Sequence, residues 1–275
     1  MGRIFDLDSP LMRGLTKMAD VMWVNVLTLL FALPLIVEQY ITLGPIFFDG
    51  TEIVFNADMA LNYVFWAWVF GIIFCIPLGA ALTAMHFVLL KIVRDEESYI
   101  TRSYFKSFKE NFKQSSILMV LQFVIGGILF LDFLITSGRG NIFRYIFFAI
   151  ALVLYMASLY IFPLQAKFVN TLPGTIKNAF LMSIMALPRT LAMVVITLLP
   201  VLLLYFLDYK IFPLIFLFGF AGPGFLCAGL YSDTFKKFEP RQEELSEEEE
   251  LRGAIDKIDV PDDDKESESG DVSAK

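Results

Sequence analysis

Histidine and cysteine are scarce in this 275-residue chain, and the scarcity restricts the chemistry available to it. His86 is the single histidine, which rules out a multi-histidine metal site and leaves one imidazole for any Ser/His/Asp triad. Cys75 and Cys227 both fall in apolar runs, where neither a disulfide framework nor a reactive thiolate is expected. The sequence also lacks a phosphate loop ending in Gly-Lys-Ser/Thr, a His-Glu-x-x-His motif and a Cys-x-x-Cys motif. We therefore expect no enzymatic activity, no catalytic residue, no metal and no cofactor.

Charged residues are also few, at 19% of the chain, whereas 57% of the residues are hydrophobic. The apolar residues gather into six runs of the length that crosses a hydrocarbon core of about 30 Å. We place the predicted spans at residues 21–37, 63–90, 115–136, 145–166, 190–207 and 211–232. The predicted fold class is all-α, a six-helix transmembrane bundle surrounded by the lipid bilayer.

Lysine and arginine are nearly missing from one side of this arrangement. Of the 22 basic residues, 19 lie in segments that six spans place on one side, and three lie on the other, namely Arg139, Arg144 and Lys210. Translocating a cation is costly and the membrane potential opposes it, so the cation-rich side is predicted to be cytoplasmic. We therefore predict a multi-pass membrane protein with both termini in the cytoplasm. The segment 38–62, which has no Lys or Arg, becomes the main external loop.

Two predicted cytoplasmic segments are amphipathic. Residues 1–20 are predicted to form a short helix along the membrane that begins near Ser9 and Pro10. Residues 99–114, between the second and third spans, place four aromatic residues on one helical face: Tyr104, Phe105, Phe108 and Phe112. An adjacent face carries four basic residues: Arg102, Lys106, Lys109 and Lys113. This pattern predicts an amphipathic interfacial helix on an anionic leaflet, and the same face would also suit docking of a cytoplasmic partner.

Four polar residues fall within or beside the predicted spans. Asn25 and Gln122 are expected to join helices through hydrogen bonds. Asp132 lies near the outer end of its span, where it is expected to reach headgroup water or to pair with Arg139 or Arg144. His86 lies near the inner end of the second span, and a hydrogen-bonded packing role is favoured over a proton relay or metal ligand.

Two spans contain residues that interrupt helices. The second span has Pro77, and the sixth has consecutive Gly222, Pro223 and Gly224. Such breaks can free backbone carbonyls for a substrate, as in transporters, although kinked packing helices are the more common use. Small residues four apart, such as Gly79 and Thr83, also favour close helix contact.

The end of the chain differs in composition from the rest. Residues 239–275 hold 15 acidic and five basic residues and few large apolar side chains, so they are predicted to be a disordered cytoplasmic tail. The predicted domains are therefore a membrane domain, 1–238, and this acidic tail.

Several stretches resemble the YesL-like family of bacterial membrane proteins, a domain of unknown function. They are Gly-Ala-Ala-Leu-Thr-Ala-Met-His-Phe at 79–87, Phe-Lys-Glu-Asn-Phe-Lys-Gln at 108–114, Phe-Pro-Leu-Gln-Ala-Lys-Phe at 162–168 and Ile-Lys-Asn-Ala-Phe-Leu-Met-Ser at 176–183. The resemblance covers most of residues 1–238 and carries over no catalytic residue. The family's genes often lie beside those for carbohydrate ABC transporters, which implies an accessory role in sugar uptake. The chain departs from the family in its longer segment 38–62 and in its acidic tail.

We predict a non-enzymatic membrane protein that is accessory to carbohydrate uptake of the ABC type, with transporter subunits as its partners and no nucleic acid. The alternative is a small-solute transporter or channel with its site at the broken spans two and six.

Overall fold

A computed structural model describes residues 9–47, 57–96, 99–136, 142–207, 210 and 212–238. The all-helical prediction is confirmed, since these residues contain helices and no strand. The helices are α1 (Pro10–Phe47), α2 (Ala57–Phe74), α3 (Ile76–Val93), α4 (Ile100–Thr136), α5 (Ile142–Lys167), α6 (Leu172–Met185), α7 (Leu187–Leu207), α8 (Phe212–Phe218) and α9 (Ala221–Lys236). The chain divides into two units, residues 1–236 and 237–275. The predicted acidic tail, 239–275, lies outside the described residues.

Five helices are long and apolar enough to cross a membrane, and a sixth span is counted if α8 and α9 act as one bent span. The five are α1, α3, α4, α5 and α7. Helix α3 is the centre of the fold, because 61% of its most apolar window is buried, against 6% for α4. It packs against α1, α4, α5 and α9. The apolar outer faces of α4, α5 and α7 are typical of helices that face lipid.

The first helix is longer than predicted. Residues 10–20 do not form a separate helix along the membrane, because α1 runs without interruption from Pro10 to Phe47. Its start agrees with the sequence: the Ser9 hydroxyl accepts the backbone N–H of Met12 at 3.3 Å, and Pro10 needs no hydrogen-bond partner there. The predicted external loop 38–62 is also corrected. Residues 38–47 extend α1 and residues 57–62 begin α2, which leaves 48–56 outside the described residues.

The predicted second span, 63–90, is two helices rather than one. Helix α2 ends at Phe74, Cys75 lies between, and α3 begins at Ile76. Pro77 explains the break, because it has no N–H to continue the hydrogen bonding of α2 but is well suited to the first turn of a new helix. A buried hydroxyl also stabilises the junction, since Ser116 of α4 donates to the carbonyl of Ile76 at 3.0 Å.

The predicted interfacial helix at 99–114 is not a separate element. It forms the first part of α4, a continuous helix of 37 residues, and no Gly or Pro interrupts it before Gly126. Its aromatic stripe packs on α1 instead of lying free: the ring of Phe108 stacks on Phe31 at 4.4 Å between centroids, and Tyr104 is fully buried. Burial of this face against α1 and α3 stabilises the helical continuation that the amphipathic pattern alone did not predict.

Helices α2 and α3 together pair with α4 along its length. The Thr83 and Ser115 hydroxyls are 2.7 Å apart, and Gly71 lies against the ring of Phe123. Nearer the C-terminal end of α4, Gly127 lies directly against the indole of Trp68 in α2. Glycines thus set the close approach of this antiparallel pair at several levels, as small residues do in membrane helix packing.

Candidate functional site

The sixth predicted span is bent in the structure. Helices α8 and α9 meet at 48°, with the break at Gly219 and Phe220. A side chain at Gly219 would overlap the carbonyl of Ile215, so only glycine fits the end of α8. Gly222, Pro223 and Gly224 then occupy the first turn of α9, where proline is tolerated. The predicted helix break is therefore present, three residues before the Pro.

Asn25 of α1 bonds to both sides of this break. Its amide oxygen accepts the backbone N–H groups of Phe220 and Ala221, each at 2.8 Å. Its amide nitrogen donates to the carbonyl of Phe216 at 2.7 Å. The side chain is fully buried, so one residue satisfies two N–H groups and one carbonyl that the bend exposes.

This geometry decides what the break can do chemically. A helix N-terminus in a broken span offers its N–H groups to an anionic substrate, and here the Asn25 oxygen occupies that position. Gly224, one turn along α9, serves contact between helices, because an added Cβ would lie 2.9 Å from Leu89 and 3.2 Å from Met85 of α3. The backbone groups at the break therefore have their hydrogen-bond partners within the protein, as is expected of a kinked packing helix.

His86 also takes part in packing. Its Nδ1 lies 3.1 Å from the hydroxyl of Tyr231 in α9, and the two rings meet edge to face at 5.9 Å. Tyr231 is fully buried. At the adjoining helix ends, Arg94 donates to the Ser232 hydroxyl at 3.2 Å. These contacts fasten α3 to α9, and the described residues contain no group of three His, Cys, Asp or Glu that could hold a metal ion.

A buried polar cluster joins α4, α5 and α6, and the sequence reasoning missed it. Gln165, only 5% exposed, donates to the side-chain oxygens of Gln114 at 2.9 Å and Asn111 at 3.3 Å and accepts from Thr175 at 3.4 Å. Gln114 in turn donates to the carbonyl of Asn170 at 2.6 Å. Two of the motifs behind the family resemblance, at 108–114 and 162–168, supply its amide side chains Asn111, Gln114 and Gln165. The sequence did contain one signal for this cluster, namely a glutamine two residues after Pro163 at the end of an apolar run.

Glu38 is a second polar residue that the sequence reasoning misplaced. It was assigned to a loop, yet it lies on α1 and is 8% exposed. Thr42 donates to one carboxylate oxygen at 3.0 Å, and Gln39 donates to the other at 2.7 Å. Gln39 also donates to the carbonyl of Ala67, which connects the group to α2. The sequence reasoning ended the first span at residue 37, whereas α1 continues as a helix to Phe47 and therefore includes Glu38.

An apolar cavity of about 870 Å³ lies between α2, α4 and α5, with α1 and α6 at its edges. Gln122 lines it, and its amide nitrogen is buried without a hydrogen-bond partner among the described residues. The indole N–H of Trp68 is in the same condition. That Gln122 joins helices stays a prediction. At one end of the cavity, the guanidinium of Arg144 lies 4.7 Å from the ring centroid of Phe133. Pairing of Asp132 with Arg139 or Arg144 stays a prediction, and Arg139 lies outside the described residues.

Replacing Gln122 with leucine is expected to stabilise the protein by about 1–2 kcal/mol, because an unsatisfied buried donor costs about 1–3 kcal/mol. The measurement is thermal unfolding of the purified protein in mild detergent. The matched control is Gln114→Leu on the same helix, which removes two hydrogen bonds and should lower the melting temperature. A lower melting temperature for Gln122→Leu would contradict the assignment of an unpaired donor.

The basic residues of α4 form an exposed row beside its aromatic residues. The row consists of Arg102, Lys106, Lys109 and Lys113, all exposed. It rises about 16 Å along the helix at 1.5 Å per residue. Because Phe108 packs on α1, the row is held on a helix whose orientation is fixed. Phe112 remains 40% exposed next to it.

Residues 59–133 match the family described as a protein of unknown function, DUF624. The match covers less than half of the chain, from the start of α2 almost to the end of α4. It therefore includes the antiparallel pairing of α2 and α3 with α4 and also the basic row, and it is consistent with the YesL-like resemblance. No curated protein and no solved structure matches the chain.

Proposed function

We propose that this protein is a non-enzymatic, multi-pass component of the bacterial cytoplasmic membrane that acts as an accessory to carbohydrate uptake of the ABC type. The observation that carries the proposal is the exposed basic row on α4. Four cations on one rigid face form a docking surface for an acidic cytoplasmic segment of a transporter subunit. The resemblance to the YesL-like family supplies the class of partner.

The orientation belongs to the same proposal. Lys17 bonds to Asp95 at 2.6 Å, Arg94 to Ser232 at 3.2 Å, and Arg189 to Thr234 at 2.8 Å. These contacts bring the start of α1, the end of α3, the start of α7 and the end of α9 to one end of the bundle, the cation-rich end. By the positive-inside bias this end is cytoplasmic.

A reporter fused after Lys275 is expected to lie in the cytoplasm, because α9, the last helix before the tail, ends at the cation-rich end of the bundle. An alkaline phosphatase fusion, which requires export, should be inactive, and a green fluorescent fusion should fluoresce. The matched control is a fusion after Arg139, between α4 and α5, which should give the opposite pair of signals. Phosphatase activity at Lys275 would refute the orientation.

Reversing the charge of Lys106 and Lys109 to glutamate is expected to reduce copurification of sugar-transporter subunits at least tenfold, because like charges would then face the acidic partner. The measurement is quantitative mass spectrometry after purification in mild detergent. The control is Lys236→Glu with Lys237→Glu, the same charge change at exposed positions of the same end. Purification of the unaltered protein alone, under conditions that keep sugar transporters assembled, would refute the accessory role.

The alternative, a small-solute transporter or channel at the broken spans, has less support. Asn25 occupies the N–H groups that a substrate would bind at the sixth span, and Ser116 bonds to the Ile76 carbonyl at the second. If the protein carried solute flux into liposomes, and replacing Pro77 or Gly224 abolished that flux, the transporter would become the better-supported function.

A further inference from the structure

The cavity between α2, α4 and α5 is elongated along α4 and α5. Its lining extends along α4 from Leu118 to Phe133 and along α5 from Phe147 to Ile161. Each stretch rises about 21–23 Å at 1.5 Å per residue. The lining is almost entirely aliphatic and aromatic, with Gly126 and Ala151 on its two walls. No atom lies within 4 Å of the position that a Cβ on Gly126 would take, so this wall is open.

At one end of the cavity, the polar cluster around Gln165 joins α4 and α5. Gln114, which accepts from Gln165 at 2.9 Å, lies one turn before Leu118, where the cavity begins. Beyond that turn, α4 and α5 leave space between them. The hydrogen bond between Gln165 and Gln114 therefore closes one end of the cavity. The other end lies at the level of Arg144 and Phe133.

The size and lining of the cavity suit a small apolar occupant. Its volume of about 870 Å³ lies within the range of about 300–1,000 Å³ of small-molecule sites. A single flexible hydrocarbon chain matches the length and the apolar lining of the cavity.

Charge at the mouth identifies the headgroup. The exposed Arg144 guanidinium is positioned over Phe133, a lining residue, so a cation stands where a chain entering the cavity would carry its polar end. Arginine is the preferred side chain for binding phosphate through paired hydrogen bonds. We propose that the α4–α5 cavity binds one acyl chain of an anionic phospholipid whose phosphate is held by Arg144.

The two parts of the site have different roles. A lipid chain is as apolar as the lining, so leaving the bilayer for the cavity gives little hydrophobic gain, and shape complementarity determines whether a chain is retained. Discrimination between lipids depends on Arg144, because an anionic headgroup adds attraction that a zwitterionic one lacks. Loss of the cavity should remove the lipid, and loss of Arg144 should remove only the preference.

The test is native mass spectrometry of the whole protein released from nanodiscs that contain equal amounts of phosphatidylglycerol and phosphatidylcholine. We expect one retained lipid per chain, with at least fivefold enrichment of phosphatidylglycerol. Gly126→Phe, which fills the cavity, should reduce the retained lipid at least fivefold, and Ala151→Leu should do so from the opposite wall. Gly229→Phe is the matched control, since Gly229 also has no neighbour within 4 Å but lies on α9 outside the cavity.

Arg144→Gln should keep one retained lipid and lose the enrichment. Equal lipid retention by the unaltered protein and by both cavity-filling variants would overturn the proposal. So would a preference for phosphatidylglycerol that survives Arg144→Gln. A change from an oligomer to a monomer in Gly126→Phe, without a change in retained lipid, would show that the cavity is a contact between copies of the chain and would also overturn it.

Discussion

Replacing Asn25 with leucine is expected to destabilise the protein by about 2–5 kcal/mol. The substitution removes three hydrogen bonds and leaves the N–H groups of Phe220 and Ala221 and the carbonyl of Phe216 without their partner. Water cannot replace the lost contacts, because Asn25 is fully buried. Leucine has a similar volume, so the effect should arise from the unsatisfied backbone and not from a cavity. Thermal unfolding in mild detergent measures the loss.

The matched control for this prediction is Asn62→Leu, the same substitution at an exposed position on α2. It should change the melting temperature little, since no helix break depends on it. Asn25→Asp provides a second comparison, because aspartate keeps the acceptor for the two N–H groups but loses the donor to Phe216. A melting temperature of Asn25→Leu equal to that of the unaltered protein would mean that the bend does not need this side chain.

Gly79→Leu is the substitution expected to disrupt packing most, at a cost of about 3 kcal/mol or more. A Cβ at this position would overlap the backbone carbonyl of Ser115 and come within 2.6 Å of the Met119 Cβ. A carbonyl cannot move aside as a flexible side chain can, so α3 and α4 would have to separate. Separation would also break the hydrogen bond between Thr83 and Ser115, which is 2.7 Å long and buried.

The control for Gly79 is Gly229→Leu, also within an apolar helix but with open space around it. That change should leave stability unchanged or raise it by a few tenths of a kcal/mol, because leucine favours helix more than glycine does. Unfolding midpoints in one detergent would compare the pair directly. Equal midpoints would show that the closeness of α3 and α4 does not limit the size of residue 79.

Asn25 and Gln165 illustrate how this bundle combines apolar helices with a defined arrangement. Apolar side chains gain little by packing together in a bilayer, so specific polar contacts and close glycine contacts determine which helices meet. Asn25 fixes α1 against the α8–α9 bend, and Gln165 fixes α5 against α4 and α6. Both side chains bond to partners far away in the sequence, which sequence patterns do not reveal. The sequence analysis therefore identified Asn25 as a residue that joins helices but missed Gln165.

The sequence by itself determined that the protein is all-helical and predicted six apolar spans, because run length and hydropathy are local properties. The structure has five helices of that length and character, or six if α8 and α9 form one span. The sequence also located the interrupting residues at Pro77 and near Gly222, since proline and glycine act on their own backbone. Only the tertiary structure decided that the predicted interfacial helix is the first part of α4, that Asn25 bonds to the bend and that the Gln122 amide nitrogen is buried without a partner among the described residues. These outcomes depend on which distant group faces each side chain, and periodicity carries no information about that partner.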